Sequence, residues 1–352
     1  MPTALGRRTS RDFALLNDLG TVTVLSFEAI HRRYFPDDHT GKSCQRRLRF
    51  LRELSLIAPV AITACFGPAR ERHTVYRLTT QGADAIAHQT GRPVHVLHTD
   101  PKPDTLLHRV LVGRTVLALR DAAGCAGLRS PQWLLEHDRW ADAPRNVPEP
   151  KQYRLAFDFL AIPTAQNRPI ERYAAPIYDD PVVRLVKARP DAAGLLALPA
   201  SDRPLCLLLE VDTGTETHRQ LLGKLPGYHA LLTRCEFSRS WIDVTDTPPT
   251  DARVVFVFAS EERLHNVLDR LADDPTALWA KTAGCLPTSE DRARAATFLE
   301  RTIRFGTLAD LEQSEAFSRP LWFTLRRRTP ADRLPMFRPT VDREVDRESV
   351  GK

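Results

Sequence analysis

The chain has 352 residues, of which 42% are hydrophobic and 27% charged, a balance typical of a globular protein long enough for two domains. We expect no membrane-spanning helix, because no run of 18 apolar residues occurs, and no secretory signal, because the N-terminus lacks an apolar core. The six cysteines form no CxxC pair, which argues against a zinc ribbon. They are scattered singly, as expected of reduced thiols in a cytoplasmic protein. The net charge of +6 comes from residues 1–92, which hold 14 basic and 8 acidic residues, whereas the rest of the chain is balanced. Such a localised basic excess is typical of a surface that binds a polyanion.

Three short helices are predicted in the first quarter of the chain. The first covers residues 12–19. The second follows Ser26, a favourable N-cap, and ends before Pro36. The third covers residues 44–54 and is preceded by a polar segment that suits helix capping.

The third predicted helix has one apolar and one basic face. Leu48, Leu51 and Leu54 recur at three-residue steps and predict the face that packs on the domain core. An Arg-rich face on such a helix is suited to the major groove of DNA, where arginine contacts phosphates and guanine edges. The predicted DNA-contacting residues of this helix are Lys42, Gln45, Arg46, Arg49 and Arg52.

A β-hairpin is predicted after the third helix. Residues 56–60 and 74–79 have strand patterns, and the basic segment between them contains Arg70 and Arg72, which could rest on the phosphate backbone. A closing helix begins at Thr80. This element order predicts a winged helix-turn-helix domain over residues 1–92 that binds double-stranded DNA. The alternative is a winged helix that only contacts other proteins.

A second domain is predicted after a Pro-rich linker at residues 93–104. It would cover residues 105–325 and be followed by a basic, disordered tail at residues 326–352. The run at residues 205–212 predicts a central strand buried on both faces. Strands and helices follow it in alternation, with one helix predicted from about residue 217 to Thr233 and another for residues 289–305. These patterns predict an α+β or α/β protein of two domains, the second with a mixed sheet flanked by helices, as in restriction endonucleases.

Carboxylates mark the end of the predicted central strand. Glu210 and Asp212 are two residues apart, so their side chains point to the same face of the sheet. Together with Asp191 they would repel one another unless a cation lay between them, and Mg²⁺ prefers such oxygen ligands. Asp191, Glu210 and Asp212 are therefore the predicted metal ligands. Lys224, on the following helix, is the predicted source of positive charge.

Several motifs resemble those of known families. The PD at residues 190–191, followed 19 residues later by Glu210-x-Asp212, resembles the PD-(D/E)xK nuclease signature. The chain departs from it because Asp212 occupies the place of the lysine. Over about residues 10–275 the chain is similar to the replication-relaxation family, and the resemblance implies a role in plasmid or mobile-element replication and DNA relaxation. The motifs that carry this similarity are PD, LEVDTGTET at residues 209–217, KLPGY at 224–228, VYRLTTQGA at 75–83 and HRVLV at 108–112.

Three hypotheses follow from the sequence. The first is a DNA-binding accessory or regulatory protein of a mobile element whose nuclease-like domain need not be active. The second is a Mg²⁺-dependent DNA endonuclease or nickase that uses Asp191, Glu210, Asp212 and Lys224. The third is an interaction module for other proteins of a replication complex or relaxosome. Winged helix proteins often dimerise, so a homodimer stays open.

Overall fold

The computed structural model describes residues 9–65, 70–91, 102–140, 149–161, 184–198, 203–273 and 289–313, with residues 94, 96, 317, 321–324, 333, 334 and 336. The chain divides into two compact units, residues 1–117 and 118–352, and the division falls within one long helix. Most of the predicted linker at residues 93–104 and of the predicted tail at residues 326–352 lies outside the described residues.

The first unit alternates helices with a small sheet. Its elements, with the long helix that continues into the second unit, are α1 (Ser10–Val22), β1 (Val24–Ser26), α2 (Phe27–Tyr34), α3 (Lys42–Glu53), β2 (Ile57–Cys65), β3 (Arg70–Leu78), α4 (Thr80–Thr90) and α5 (Pro103–Cys125).

The three predicted helices and the predicted hairpin of the first unit are confirmed. Strands β2 and β3 pair antiparallel from Ile57 opposite Leu78 to Cys65 opposite Arg70. The predicted N-cap also forms, since the Ser26 hydroxyl accepts a hydrogen bond from the Ala29 amide at 3.2 Å. The structure adds β1, which pairs with β3 and gives the strand order β1-β3-β2. A strand of three residues is too short to show a two-residue alternation, so the sequence did not predict it.

The second unit is built around a five-stranded sheet. Its elements are β4 (Arg129–Leu135), α6 (Glu149–Gln152), β5 (Phe157–Ala161), β6 (Arg184–Ala188), β7 (Ala192–Ala197), β8 (Leu205–Asp212), α7 (His218–Leu222), α8 (Leu225–Thr233), a 3-10 helix (Glu236–Trp241), β9 (Asp251–Phe258), α9 (Glu261–Asp273), α10 (Ser289–Thr302), β10 (Ile303–Thr307) and α11 (Leu308–Leu311).

The main sheet is mixed, as the sequence predicts, and the fold class is α+β. Its strand order is β10-β9-β8-β7-β4, with β8, β9 and β10 parallel to one another and β7 antiparallel to both β8 and β4. Every residue of β8 is buried, in agreement with its unbroken apolar run. Strands β5 and β6 form a separate two-stranded sheet.

Two predicted helices of the second unit have different bounds in the structure. The helix predicted from about residue 217 to Thr233 is broken into α7 and α8, because the proline at position 226 lies in the first turn of α8 and has no amide to continue the helix. The helix predicted for residues 289–305 ends at Thr302, and its last predicted residues belong to β10. The β-branched and aromatic residues at 303 and 305 pair with β9 and are buried there.

None of the helices in the described ranges combines the length and the apolar character needed to cross a membrane.

Candidate functional site

One face of helix α3 carries polar and basic side chains that are all exposed to solvent. In the described part of the chain, none of these side chains makes an ion pair or hydrogen bond with another residue. The five residues, called the α3 face below, are Lys42, Gln45, Arg46, Arg49 and Arg52.

The opposite side of α3 fixes the helix on its unit. Cys44, Leu48 and Leu51 are almost completely buried, so two leucines of the predicted apolar stripe lie in the core. The third, Leu54, is half-buried and is the C-cap residue of the helix. Arg47, between the two sides, donates hydrogen bonds to both carboxylate oxygens of Asp12 in α1, with Nε 2.6 Å from Oδ1. The α3 face is therefore presented by a helix that is held by both apolar packing and an ion pair.

The N-terminus of α3 is capped by a side chain outside the helix. Gly41 is the N-cap residue and has a left-handed backbone, with φ of 71°. The Asp38 carboxylate accepts a hydrogen bond from the Cys44 amide at 2.9 Å. This hydrogen bond is the main reason that the pKa of Asp38 lies below its usual value. The segment before α3 thus serves in capping, as its polar composition predicted.

The two arginines of the predicted hairpin contacts belong to strand β3. The side chains of Arg70 and Arg72 lie outside the described residues, as do all side chains of residues 61–73. The hairpin tip, residues 66–69, lies outside them entirely.

A buried charged cluster lies at the carboxyl end of β8 in the second unit. The Glu210 side chain is only 2% exposed, and Lys224 Nζ lies 2.7 Å from its Oε2 atom. The Tyr228 hydroxyl donates a hydrogen bond to the other oxygen, Oε1. Lys224 also pairs with Glu216, with Nζ 3.0 Å from Oε2. The predicted lysine therefore does reach the central carboxylate, and Tyr228 joins it there.

The charges of this cluster are strongly coupled. Burial raises the pKa of Glu210 to about 7, against the lowering effect of Lys224 and with a further raising effect of Asp191. Burial alone would lower the pKa of Lys224, but the carboxylates of Glu210 and Asp191 outweigh it and raise the pKa. Burial and the nearby Glu210 also raise the pKa of Tyr228, so its hydroxyl keeps its proton and acts as a donor.

Asp191 lies beside this cluster at the start of β7. Its side chain is 8% exposed, and its Oδ2 atom accepts a hydrogen bond from the Val211 amide at 2.7 Å. Its own backbone amide donates to the Leu209 carbonyl at 2.9 Å. The aspartate of the PD motif is therefore attached to the strand segment that carries Glu210.

Asp212 has different partners. Its Oδ2 atom lies 2.7 Å from Nε of Arg263 in α9, and its Oδ1 atom accepts a hydrogen bond from the Gly214 amide at 2.9 Å. Arg263 also donates to the backbone carbonyl of Glu216. Within the described residues, Asp191, Glu210 and Asp212 do not form a group with oxygens within 4.8 Å of one another. The structure thus gives Asp212 a role in holding the loop after β8, and its predicted role as a metal ligand finds no support in this geometry.

The KLPGY motif explains how Lys224 and Tyr228 both reach Glu210. Helix α8 begins at Leu225 with Pro226 in its first turn, so Lys224 lies at its N-cap and Tyr228 follows one turn later. Gly227 lets α8 approach β6 closely, because a Cβ atom at this position would lie 1.9 Å from the Lys187 carbonyl oxygen. Sequence reasoning missed Tyr228 and Arg263. The four-residue step from Lys224 to Tyr228 was a usable signal for the first, but nothing local indicated the second.

Comparisons with known proteins complete this description. The family model described as replication-relaxation matches residues 16–242, which include α3, the PD motif, Glu210 and the KLPGY motif. No match was found among curated proteins or among solved structures. Because the family model covers more than half of the chain, the protein belongs to the replication-relaxation family.

Proposed function

We propose that the first unit is a winged helix-turn-helix domain that binds double-stranded DNA through the α3 face. The observation that carries this proposal is the solvent exposure of five polar and basic side chains that make no ion pair or hydrogen bond with another described residue. Unpaired cations on a rigid helix gain most from an external polyanion, because binding releases the counterions condensed on DNA. The element order, with two strands in a hairpin after α3, supports the same proposal.

Membership of the replication-relaxation family supports a role in the replication of a plasmid or another mobile element. We propose that the protein acts there as a DNA-binding accessory or regulatory protein. The basic excess of residues 1–92 and the charge balance of the remaining residues indicate that most of the DNA affinity resides in the first unit.

The test is the affinity of the full chain for duplex DNA, measured by fluorescence anisotropy at several salt concentrations. We expect the variant with both Arg46→Ala and Arg49→Ala to bind at least tenfold more weakly at low salt and to show a smaller salt dependence, since each phosphate contact contributes about 0.9 to the slope. Arg270→Ala with Arg301→Ala is the matched control, because both arginines are exposed in the second unit. Equal losses in both double variants would contradict a specific role of the α3 face. Absence of DNA binding by the wild type at low salt would favour the alternative of a protein-interaction module.

A second candidate function is metal-dependent DNA cleavage by the second unit. The observation that favours it is Lys224 Nζ at 2.7 Å from Glu210, with Asp191 close enough to affect the pKa of both. The carboxylates of Asp191 and Glu210 are hard oxygen donors of the type that Mg²⁺ takes. Both oxygens of Glu210, like both oxygens of Asp212, already accept hydrogen bonds within the fold, so Mg²⁺ would have to displace Lys224 or Tyr228 from Glu210. Bound Mg²⁺ would polarise a phosphate and activate water. Lys224 would stabilise the negative charge that develops on the phosphate, as the signature lysine does in related nucleases.

This second candidate is tested by incubating supercoiled plasmid with the full chain and Mg²⁺ or Mn²⁺. We expect nicked or linear products with the wild type and none with Asp191→Asn. Cleavage that persists in Asp191→Asn, or that is absent from the wild type with both metals, would contradict this function and leave the proposed DNA binding intact.

A further inference from the structure

A cavity of about 310 Å³ lies in the first unit beside α3, and the DNA contacts proposed for the α3 face do not account for it. It is lined by the first residues of α1 with their N-cap, by the C-cap residue of α2 and by one residue from the middle of α3. In the described part of the chain, no carboxylate belongs to this lining. The lining residues are Thr9, Ser10, Arg11, Phe35 and Arg47.

Arg11 brings a positive charge to the cavity. Its side chain is exposed and makes no ion pair with another described residue. Its guanidinium carbon lies 4.8 Å from the centroid of the Phe35 ring, and that ring is buried in the core. Because the ring is fixed by packing, its contact limits the positions of the guanidinium and favours a pre-organised binding group.

Arg47 is a second guanidinium of the lining, and its charge is already balanced. It donates hydrogen bonds to both carboxylate oxygens of Asp12, and the Thr9 hydroxyl donates to the same carboxylate at 2.9 Å. Asp12 is only 1% exposed and lies outside the lining. The net charge of the cavity is therefore that of Arg11, and the exposed Ser10 adds a hydroxyl donor beside it.

These donors suit an oxyanion, and their position beside α3 favours a phosphate of DNA. Arg47 directly follows Arg46 of the α3 face, so the cavity borders the helix that carries this face. Phosphates line both edges of the groove that such a helix enters, and contacts with them fix the register of a protein on the duplex. Arginine binds phosphate oxygens with several N–H groups at once.

We propose that the cavity binds one backbone phosphate of the DNA duplex that the α3 face contacts, with Arg11 as the main cation. The proposal rests on the proposed DNA binding of the first unit. It adds a contact outside the α3 face that positions the protein on the duplex without reading its sequence.

The experiment uses the full-length protein and a duplex selected from random sequences. Each backbone phosphate in turn is replaced by an uncharged methylphosphonate, and the affinity is measured by fluorescence anisotropy. We expect Arg11→Ala to bind the unmodified duplex about tenfold more weakly at low salt, with a salt slope smaller by about 0.9. At one position the methylphosphonate should weaken binding of the wild type but cause no further loss in Arg11→Ala, because both changes remove the same contact.

Two variants serve as controls. Arg11→Lys keeps the charge and should retain the salt slope of the wild type. Lys102→Ala removes an exposed cation of the same unit that does not line the cavity. This variant should show the same sensitivity to each methylphosphonate as the wild type.

Three results would overturn the proposal. If the losses from Arg11→Ala and from the methylphosphonate add up at every position, Arg11 contacts no backbone phosphate. If inorganic phosphate raises the thermal stability of the wild type but not of Arg11→Ala, while both bind DNA equally, the cavity takes free phosphate instead. In both cases the wild type still binds DNA, and the proposed function stands. Absence of DNA binding by the wild type would contradict the proposed function itself, and this inference with it.

Discussion

Two regions of this protein hold their charges in opposite ways. The α3 face presents its basic side chains to solvent without internal partners among the described residues. The cluster at the end of β8 buries Glu210 to 2% exposure and surrounds it with Lys224 and Tyr228. The first region leaves its positive charges exposed to solvent, whereas the charge of Glu210 in the second is balanced by Lys224 within the fold.

The contrast indicates at which positions a charge can be removed without loss of stability. Replacement of an exposed arginine changes the free energy of unfolding little, because water solvates the site before and after the change. A buried carboxylate that loses its cation keeps the full cost of desolvation. Removal of positive charge should therefore affect binding in the first region and stability in the second.

The largest expected effect tests this contrast directly. Lys224→Met leaves Glu210 buried without its cation, so we expect the free energy of unfolding to fall by about 3 kcal/mol. Arg49→Ala should change it by no more than about 0.5 kcal/mol. Urea unfolding followed by circular dichroism at neutral pH measures both. Adding Glu210→Gln to Lys224→Met should restore part of the loss, because the amide carries no charge. A double variant no more stable than Lys224→Met would indicate that charge burial is not the cause.

The second prediction tests whether a packing change in the second unit lowers stability without changing the DNA affinity of the α3 face. In Gly227→Ala the new Cβ atom would lie 1.9 Å from the Lys187 carbonyl oxygen, so α8 must shift, and we expect a loss of about 2 kcal/mol. Gly124→Ala is the control, since no atom lies within 4 Å of a Cβ there and alanine favours the helix. DNA affinity should be unchanged in both variants. A loss of affinity in Gly227→Ala would show that the second unit contributes to binding.

The sequence predicted the α3 face well and the buried cluster less completely. A helix with a three-residue leucine step shows its two faces within about ten residues, so the sequence predicted which side of α3 is exposed. The cluster depends on contacts across long sequence separations. Arg263 reaches Asp212 from a helix 51 residues later, and no local pattern predicts which carboxylate it neutralises.

The break between α7 and α8 is a second reason why the sequence predicted the buried cluster incompletely. The apolar pattern after Glu216 continues to Thr233 and predicts one helix, but the proline at position 226 begins a second one. That break places Lys224 at a helix terminus beside Glu210. The sequence alone does not show whether Lys224 reaches Glu210, because the direction of the bend at this proline depends on how the helix packs on the strands.

A third effect distinguishes base contacts from phosphate contacts within the α3 face. Gln45→Ala removes a neutral side chain suited to adenine, so we expect about a tenfold loss of sequence preference with an unchanged salt slope. Lys42→Ala should weaken binding to all sequences alike and lower the slope by about 0.9. Selection of random duplexes followed by anisotropy titration measures both quantities. If Gln45→Ala alters the slope or leaves the preference intact, α3 does not read bases through this residue.

The smallest expected effect concerns the ion pair that holds α3 on α1. Burial raises the pKa of Asp12, but the hydrogen bonds from Arg47 and Thr9 outweigh it, so the pKa in the folded protein lies below its ordinary value. The ionised carboxylate therefore stabilises the fold above the ordinary aspartate pKa, and this stabilisation is lost as the pH falls through the lower folded value.

We expect Asp12→Asn to lower the free energy of unfolding by about 1.5 kcal/mol at pH 7, because charge-assisted hydrogen bonds to Arg47 are lost. Between pH 5 and pH 3 the stability of the variant should fall less steeply than that of the wild type. Asp84→Asn, an exposed position in α4, is the control and should follow the wild type. DNA affinity at neutral pH should not decrease in Asp12→Asn, since no residue of the α3 face is changed. If affinity fell together with stability, the orientation of the α3 face would depend on the Asp12–Arg47 pair. The exposed region would then rely on an internal ion pair, although its own side chains form none with described residues.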